Sequence, residues 1–287
     1  MSVTARSAIL RGQRAWATRR GHAPDRRGYL PHVALNLYSS LSEQARSAFE
    51  RGAGGETTDC PARGGRRGRP AKMRALHSSS ALVVNVFDYW TPRDKAILSK
   101  SLGLHRKVDT VAFEAQRETG LPGTPPNLDL ELVLKDGSVV AIESKFTEWL
   151  TPQPKNGKAF QSKYFTAGKL HWTARGLPGC QTLAEGLDRG KKSYRYLHAG
   201  QLLKHALGLA AHHGDKFSLL YLYFDTTGAE AERHRAELAD FSEHLDRQIR
   251  FSAMTYQQLF GNLRRLAGPD HEPYLAYLGE RYFEAAA

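Results

Sequence analysis

The chain reads as α/β: a mixed central sheet flanked by helices on both faces. Three stretches predict this. Residues 128–146 alternate apolar and polar side chains through two runs joined by Lys135-Asp136-Gly137-Ser138, the period-two pattern of a hairpin. Residues 217–224 (Phe-Ser-Leu-Leu-Tyr-Leu-Tyr-Phe) are apolar almost throughout, which marks a strand buried on both faces. Residues 183–212, 229–250, 256–266 and 272–283 carry apolar residues at helical spacing, and this order of strands and helices covers both faces of the sheet.

The 287 residues suit a single domain over 29–287, with a Gly/Arg loop at 61–70, behind a flexible basic extension at 1–28. That extension holds Arg6, Arg11, Arg14, Arg19, Arg20, Arg26 and Arg27 with little apolar periodicity. Of the formal +12 charge, +10 falls in residues 1–74, which contain 15 Lys or Arg against 5 Asp or Glu. Such asymmetry suits a polyanion partner; a tail that is basic through biased composition gives the same count. Cys60 and Cys180 are the two cysteines, too few for a disulfide framework and without metal-ligand spacing. No run of about 18 apolar residues occurs, so no membrane segment is expected, and a cytoplasmic protein is.

Residues 33–49 recur at roughly helical spacing, with Ser42, Glu43 and Gln44 able to open a helix in the second half. The tract 63–70, with Arg66, Arg67 and Arg69, has no means of packing and reads as a loop, phosphate-contacting or solvated. Residues 80–90 read as a buried helix capped by Ser78, Ser79 or Ser80, and 94–104 as a second, shorter helix. Residues 108–115 are the first strand, with Glu114 near its end. Residues 151–180 are irregular, with Lys163 among basic residues interleaved with Phe160, Tyr164 and Trp172. That composition suits nucleic-acid contact by phosphate pairing and stacking, or equally a surface excursion pinned by its aromatics. In 183–212, Gln201, Lys204, His205, Gly208 and His212 share one helical face.

If the apolar residues of the hairpin share a buried face, Asp129, Glu143 and Lys145 share the other. A two-residue Asp136-Gly137 turn would separate them. A three-residue loop, Lys135-Asp136-Gly137 with Gly137 left-handed, or a bulge, brings them together. Two carboxylates suit a hard cation such as magnesium that keeps most of its waters, with manganese as the substitute. A nearby ammonium can serve a metal-bound water. The plain alternative is a solvated sheet face.

Pro126-Asn127-Leu128-Asp129 followed by Ile142-Glu143-Ser144-Lys145 resembles the active site of the PD-(D/E)xK nucleases, the restriction-endonuclease-like fold. Residues 143–148 (Glu-Ser-Lys-Phe-Thr-Glu), His77-Ser78-Ser79-Ser80-Ala81-Leu82 with Asn85 and Phe87, and Gln201-Leu202-Leu203-Lys204-His205 are similar to a bacterial branch of it. Together the likeness spans roughly 30–225. One departure is that Asn127 and Leu128 separate Pro126 from Asp129.

The resemblance implies that Asp129 and Glu143 bind the metal, Ser144 lends a backbone carbonyl and Lys145 helps the attacking water. It makes Glu114 a candidate auxiliary ligand, with Glu56 a weaker one. Gln201, with Lys204 second, becomes the polar residue supplied by the following helix. The expected activity is a magnesium-dependent nuclease, endonuclease or exonuclease, acting on DNA, with RNA left open and a homodimer expected for double-strand cutting. The alternatives are a non-cleaving nucleic-acid-binding protein of the same fold, or a scaffold subunit docking on an acidic partner. Strand contacts would fall to Arg66, Arg67, Arg69, Lys163 and Lys204.

Overall fold

The computed structural model describes residues 4–51, 55–62, 68–154, 158–166, 168–245 and 248–284. Its five-stranded sheet runs in chain order: β1 (Val108–Gln116), β2 (Asn127–Leu134), β3 (Val139–Lys145), β4 (Phe217–Tyr223) and β5 (Arg250–Thr255). β1, β2 and β3 are antiparallel, whereas β3, β4 and β5 are parallel, so the sheet is mixed as the sequence predicts. Leu130 pairs with Ile142 and Val133 with Val139. Gly137 has φ +80° and its N–H donates to the Leu134 carbonyl, giving the three-residue loop Lys135-Asp136-Gly137. Val139–Lys145 is buried along its whole length, because helices cover both of its faces.

On the apolar face of the hairpin lie α2 (Glu43–Arg51), α3 (Ser79–Phe87) and α4 (Ala96–Ser101). α3 opens where Ser78 Oγ accepts the Ala81 N–H, and its residues from Ala81 to Phe87 are buried. The other face is covered by α5 (Pro178–Asp188), α6 (Ala199–His213) and α7 (Ala229–Leu245). α6 closes on the sheet because residue 208 is glycine: a Cβ there would stand 2.5 Å from the Arg117 carbonyl oxygen. α8 (Tyr256–Leu266) starts with a reciprocal capping box between Thr255 and Gln258, and α9 (Glu272–Leu278) continues into a π-helical turn, Gly279–Phe283. No helix among the described residues is long and apolar enough to cross a membrane.

Three expectations need correction. Within the expected flexible extension at 1–28, the described residues from 4 onward are ordered: α1 (Ala5–Arg19) is a helix docked on the C-terminal segment. Its buried seam is Ile9, Gln13, Trp16 and Ala17, too narrow to show as periodicity among the arginines. The buried Arg281 guanidinium lies 4.0 Å from the Trp16 ring centre, Gln13 donates to the Arg281 carbonyl at 2.6 Å, and Arg20 pairs with Glu280 at 2.6 Å. Residues 183–212 are not one helix, since α5 ends at Asp188 and α6 begins at Ala199. Residues 229–250 end in a strand: β5 is an edge with exposed Arg250, Ser252 and Ala253, so it lacks the apolar alternation that marks strands.

Docking of α1 is directly testable. Trp16→Ala removes a fully buried aromatic and the surface on which Arg281 stacks, so it should cost about 3–5 kcal/mol in denaturant unfolding. It should also open Arg11, Arg14 and Arg19 to trypsin; equal protection in variant and wild type would contradict the docking.

Candidate active site

Register places three carboxylates side by side on the face under α6. β1 and β2 pair Phe113 with Leu130 and Ala115 with Leu128, so Glu114 stands beside Asp129. β2 and β3 pair Glu131 with Ala141 and Leu130 with Ile142, so the next position sets Asp129 beside Glu143. Lys145, two residues on, points the same way. This is the arrangement predicted for Asp129, Glu143 and Lys145.

Each group has a defined partner. The Ser144 N–H donates to Asp129 Oδ2 at 2.7 Å, tying the ends of β2 and β3 together. Lys145 Nζ pairs with Glu143 Oε1, both side chains being buried, and lies 3.4 Å from Gln201 Oε1 on α6. His205 Nε2 stands 2.9 Å from Glu143 Oε2, both side chains buried. Ser144 turns its hydroxyl to the opposite face, 2.6 Å from Tyr256 Oη. Glu114 takes φ +50°, an uncommon conformation for a residue with a side chain, and its Oε2 accepts from Asn127 Nδ2 at 2.7 Å.

These surroundings push the acids in opposite directions. Burial and the neighbouring Glu143 charge hold the Asp129 carboxyl well above its usual range, against the pull of Lys145 and the Ser144 N–H. Burial also works against the Glu143 charge, but Lys145 and His205 overcome it and keep that carboxyl below its usual range. Lys145, though buried, is raised by Glu143 and Asp129. Glu114 is raised mainly by burial, and Glu56 adds to this. Neighbouring acids with diverging protonation are a recurrent property of catalytic sites.

Asp129 and Glu114 open onto a cleft of about 1030 Å³, whose walls include Gln201 and the start of α3. Glu56 lies in the same wall, 7 % exposed; Oε1 accepts from Lys72 Nζ at 2.7 Å and Oε2 has no donor. Among the described residues, no three His, Cys, Asp or Glu side chains are gathered as a ready-made metal cage. The donors do fit a hydrated hard cation: the Ser144 N–H takes Asp129 Oδ2 and leaves Oδ1, and Lys145 takes Glu143 Oε1 and leaves Oε2, which faces His205 Nε2 at 2.9 Å. Magnesium is commonly held by one or two carboxylates and waters.

The expected strand-contacting residues fare differently. Arg66 and Arg67 lie outside the described residues. Arg69 is exposed, and its backbone exchanges hydrogen bonds with Cys60. Lys163 donates to the Pro122 carbonyl beside the loop that leads into β2. Lys204 is not in the cleft wall: its ammonium lies 5.2 Å from the Phe160 ring centre and 5.7 Å from that of Tyr164. Phe160, Tyr164 and Trp172 are buried against one another, so of the two readings of 151–180 the burial favours the excursion pinned by its aromatics over a stacking surface. Arg6 and His198 line the cleft and His205 stands beside Glu143, places that the sequence assigns to none of the three. For His205 the signal was present, since it follows Gln201 by four residues on one helix.

A family model described as restriction endonuclease associating with ARP matches residues 21–283. No curated protein and no solved structure matches the chain. The matched span contains the whole sheet, the three carboxylates and every helix except α1. With its five-stranded mixed sheet between helical layers, the chain has the restriction-endonuclease-like fold and belongs to the REase-ARP family, restriction endonuclease associating with ARP.

Proposed function

We propose that this chain is a magnesium-dependent nuclease that hydrolyses phosphodiester bonds in DNA. The observation that carries the reading is the row Glu114–Asp129–Glu143 inside the family-matched region, its first two members lining a cleft and its last buried beside Lys145. Asp129 and Glu143 would hold the cation, with the Ser144 carbonyl and Glu114 as further donors. When bound, the cation supplies a more acidic water and offsets charge on the phosphodiester.

The chain's own side chains do the rest. Asp129 is oriented by the Ser144 N–H, so its Oδ1 is left to turn toward a ligand. Lys145 keeps Glu143 ionised and brings a positive charge to where negative charge develops on the phosphate. Gln201 holds Lys145 from the other side through Oε1. A homodimer and the cutting of both strands belong to the same proposal.

Purified protein should degrade plasmid, linear duplex or single-stranded DNA with magnesium or manganese, and should be inert in excess chelator. RNA run beside DNA tests the substrate. No cleavage of any nucleic acid with either metal would leave a non-cleaving binding protein as the better reading. Affinity for DNA with no salt dependence would favour docking on an acidic protein.

A further inference from the structure

The cleft carries more acidic than basic side chains. Glu56, Glu114, Asp129 and Glu148 line it, against two cations among the described residues, Lys72 and Arg6. Lys72 is engaged by Glu56 at 2.7 Å. Arg6 is exposed and makes no ion pair or hydrogen bond with the described residues. It reaches the wall because α1 is docked on the C-terminal segment: Ile9, Gln13, Trp16 and Ala17 face inward, and Arg6 borders that seam. Ser79 and Ser80, at the opening of α3, lie in the same wall. α1 also precedes the family-matched span, which begins at residue 21.

A polyanionic strand entering a wall of carboxylates needs a cation apart from the metal position. A guanidinium suits this, since its fork pairs with two phosphate oxygens at once. The geometry points to Arg6 as a phosphate clamp for the DNA strand, one that contacts a backbone phosphate away from the bond being cut. The clamp rests on the nuclease reading and adds to it: α1, which lies before the residues that the family model matches, is a substrate-holding element. Arg11, by contrast, lines a separate groove with Phe224 and Phe283 and is not part of the clamp.

The clamp is tested by binding, separately from cleavage. Full-length Asp129→Asn protein is titrated against a labelled single-stranded oligodeoxynucleotide, its duplex and the same sequence as RNA, over a series of salt concentrations. Adding Arg6→Ala should weaken DNA binding about ten-fold, in line with loss of a charge-assisted hydrogen bond. It should also lower the log–log salt slope by about 0.7 to 0.9, one phosphate contact. Arg6→Lys should keep the slope and recover part of the affinity, and Arg11→Ala should change neither. Unchanged affinity and slope in Arg6→Ala would overturn the clamp while leaving the nuclease reading to the wild-type cleavage assay. An effect confined to RNA would overturn its assignment to DNA. Absence of any oligonucleotide binding would overturn the clamp outright.

Discussion

Lys145→Ala is expected to abolish cleavage and, in the same variant, to destabilise the fold. The activity loss follows from the position of the ammonium beside Glu143 on the face that carries Asp129. Removing a charge that acts on the transition state is expected to lower the rate by about 10³-fold or more. The stability loss follows from burial. Glu143 is 0 % exposed, and without Lys145 its Oε1 loses its partner and the charge is left with His205 alone. Breaking a buried ion pair from one side costs about 3–5 kcal/mol. The two effects separate in a double variant. Glu143→Gln with Lys145→Met removes both charges, so denaturant unfolding should return much of the lost stability while cleavage stays absent. If Lys145→Ala unfolded like wild type, the buried pair would not be the support described; if it still cut DNA, Lys145 would have no part in the chemistry.

The hairpin was legible because its alternation sets the faces, and a shared face for Asp129, Glu143 and Lys145 requires a three-residue loop or a bulge, of which the structure has the loop. β4 and the opening of α3 were legible for equally local reasons, a doubly buried apolar run and a serine cap. The missed features depend on tertiary partners. α1 is held by an arginine 265 residues after Trp16, a contact that no local pattern announces. β5 is an exposed edge, and its strand character comes from pairing with β4 alone. The aromatic residues of 151–180 look the same in sequence whether they stack on a ligand or on one another; here they stack on one another. Glu114 was visible as an acid near a strand end, but its alignment with Asp129 depends on the register of β1.

Asp129→Asn is expected to be inactive and more stable than wild type at neutral pH. The sign follows from linkage. The folded protein raises the Asp129 pKa above its unfolded value, through burial and the Glu143 charge. Its contribution to stability is therefore fully present at pH below the unfolded value and is lost as pH rises through the folded one. At pH 7, above the unfolded value, wild type bears the cost of burying this acid, whether it ionises or keeps its proton, and asparagine, nearly the same shape, does not. Its side-chain oxygen can still accept the Ser144 N–H. The expected gain is about 1 kcal/mol or more, about 2–4 °C in melting temperature for a chain of this size, and it should disappear as pH falls toward 4. Magnesium should reverse the order. A divalent cation held by Asp129 and Glu143 would relieve their repulsion, so magnesium should raise the wild-type melting temperature and leave the variant nearly unmoved. Thermal melts of both proteins, at pH 7 and pH 4, with and without magnesium, give all four comparisons. A variant less stable than wild type at pH 7 without metal would show that Asp129 is held as a structural acceptor rather than as an acid kept for a cation.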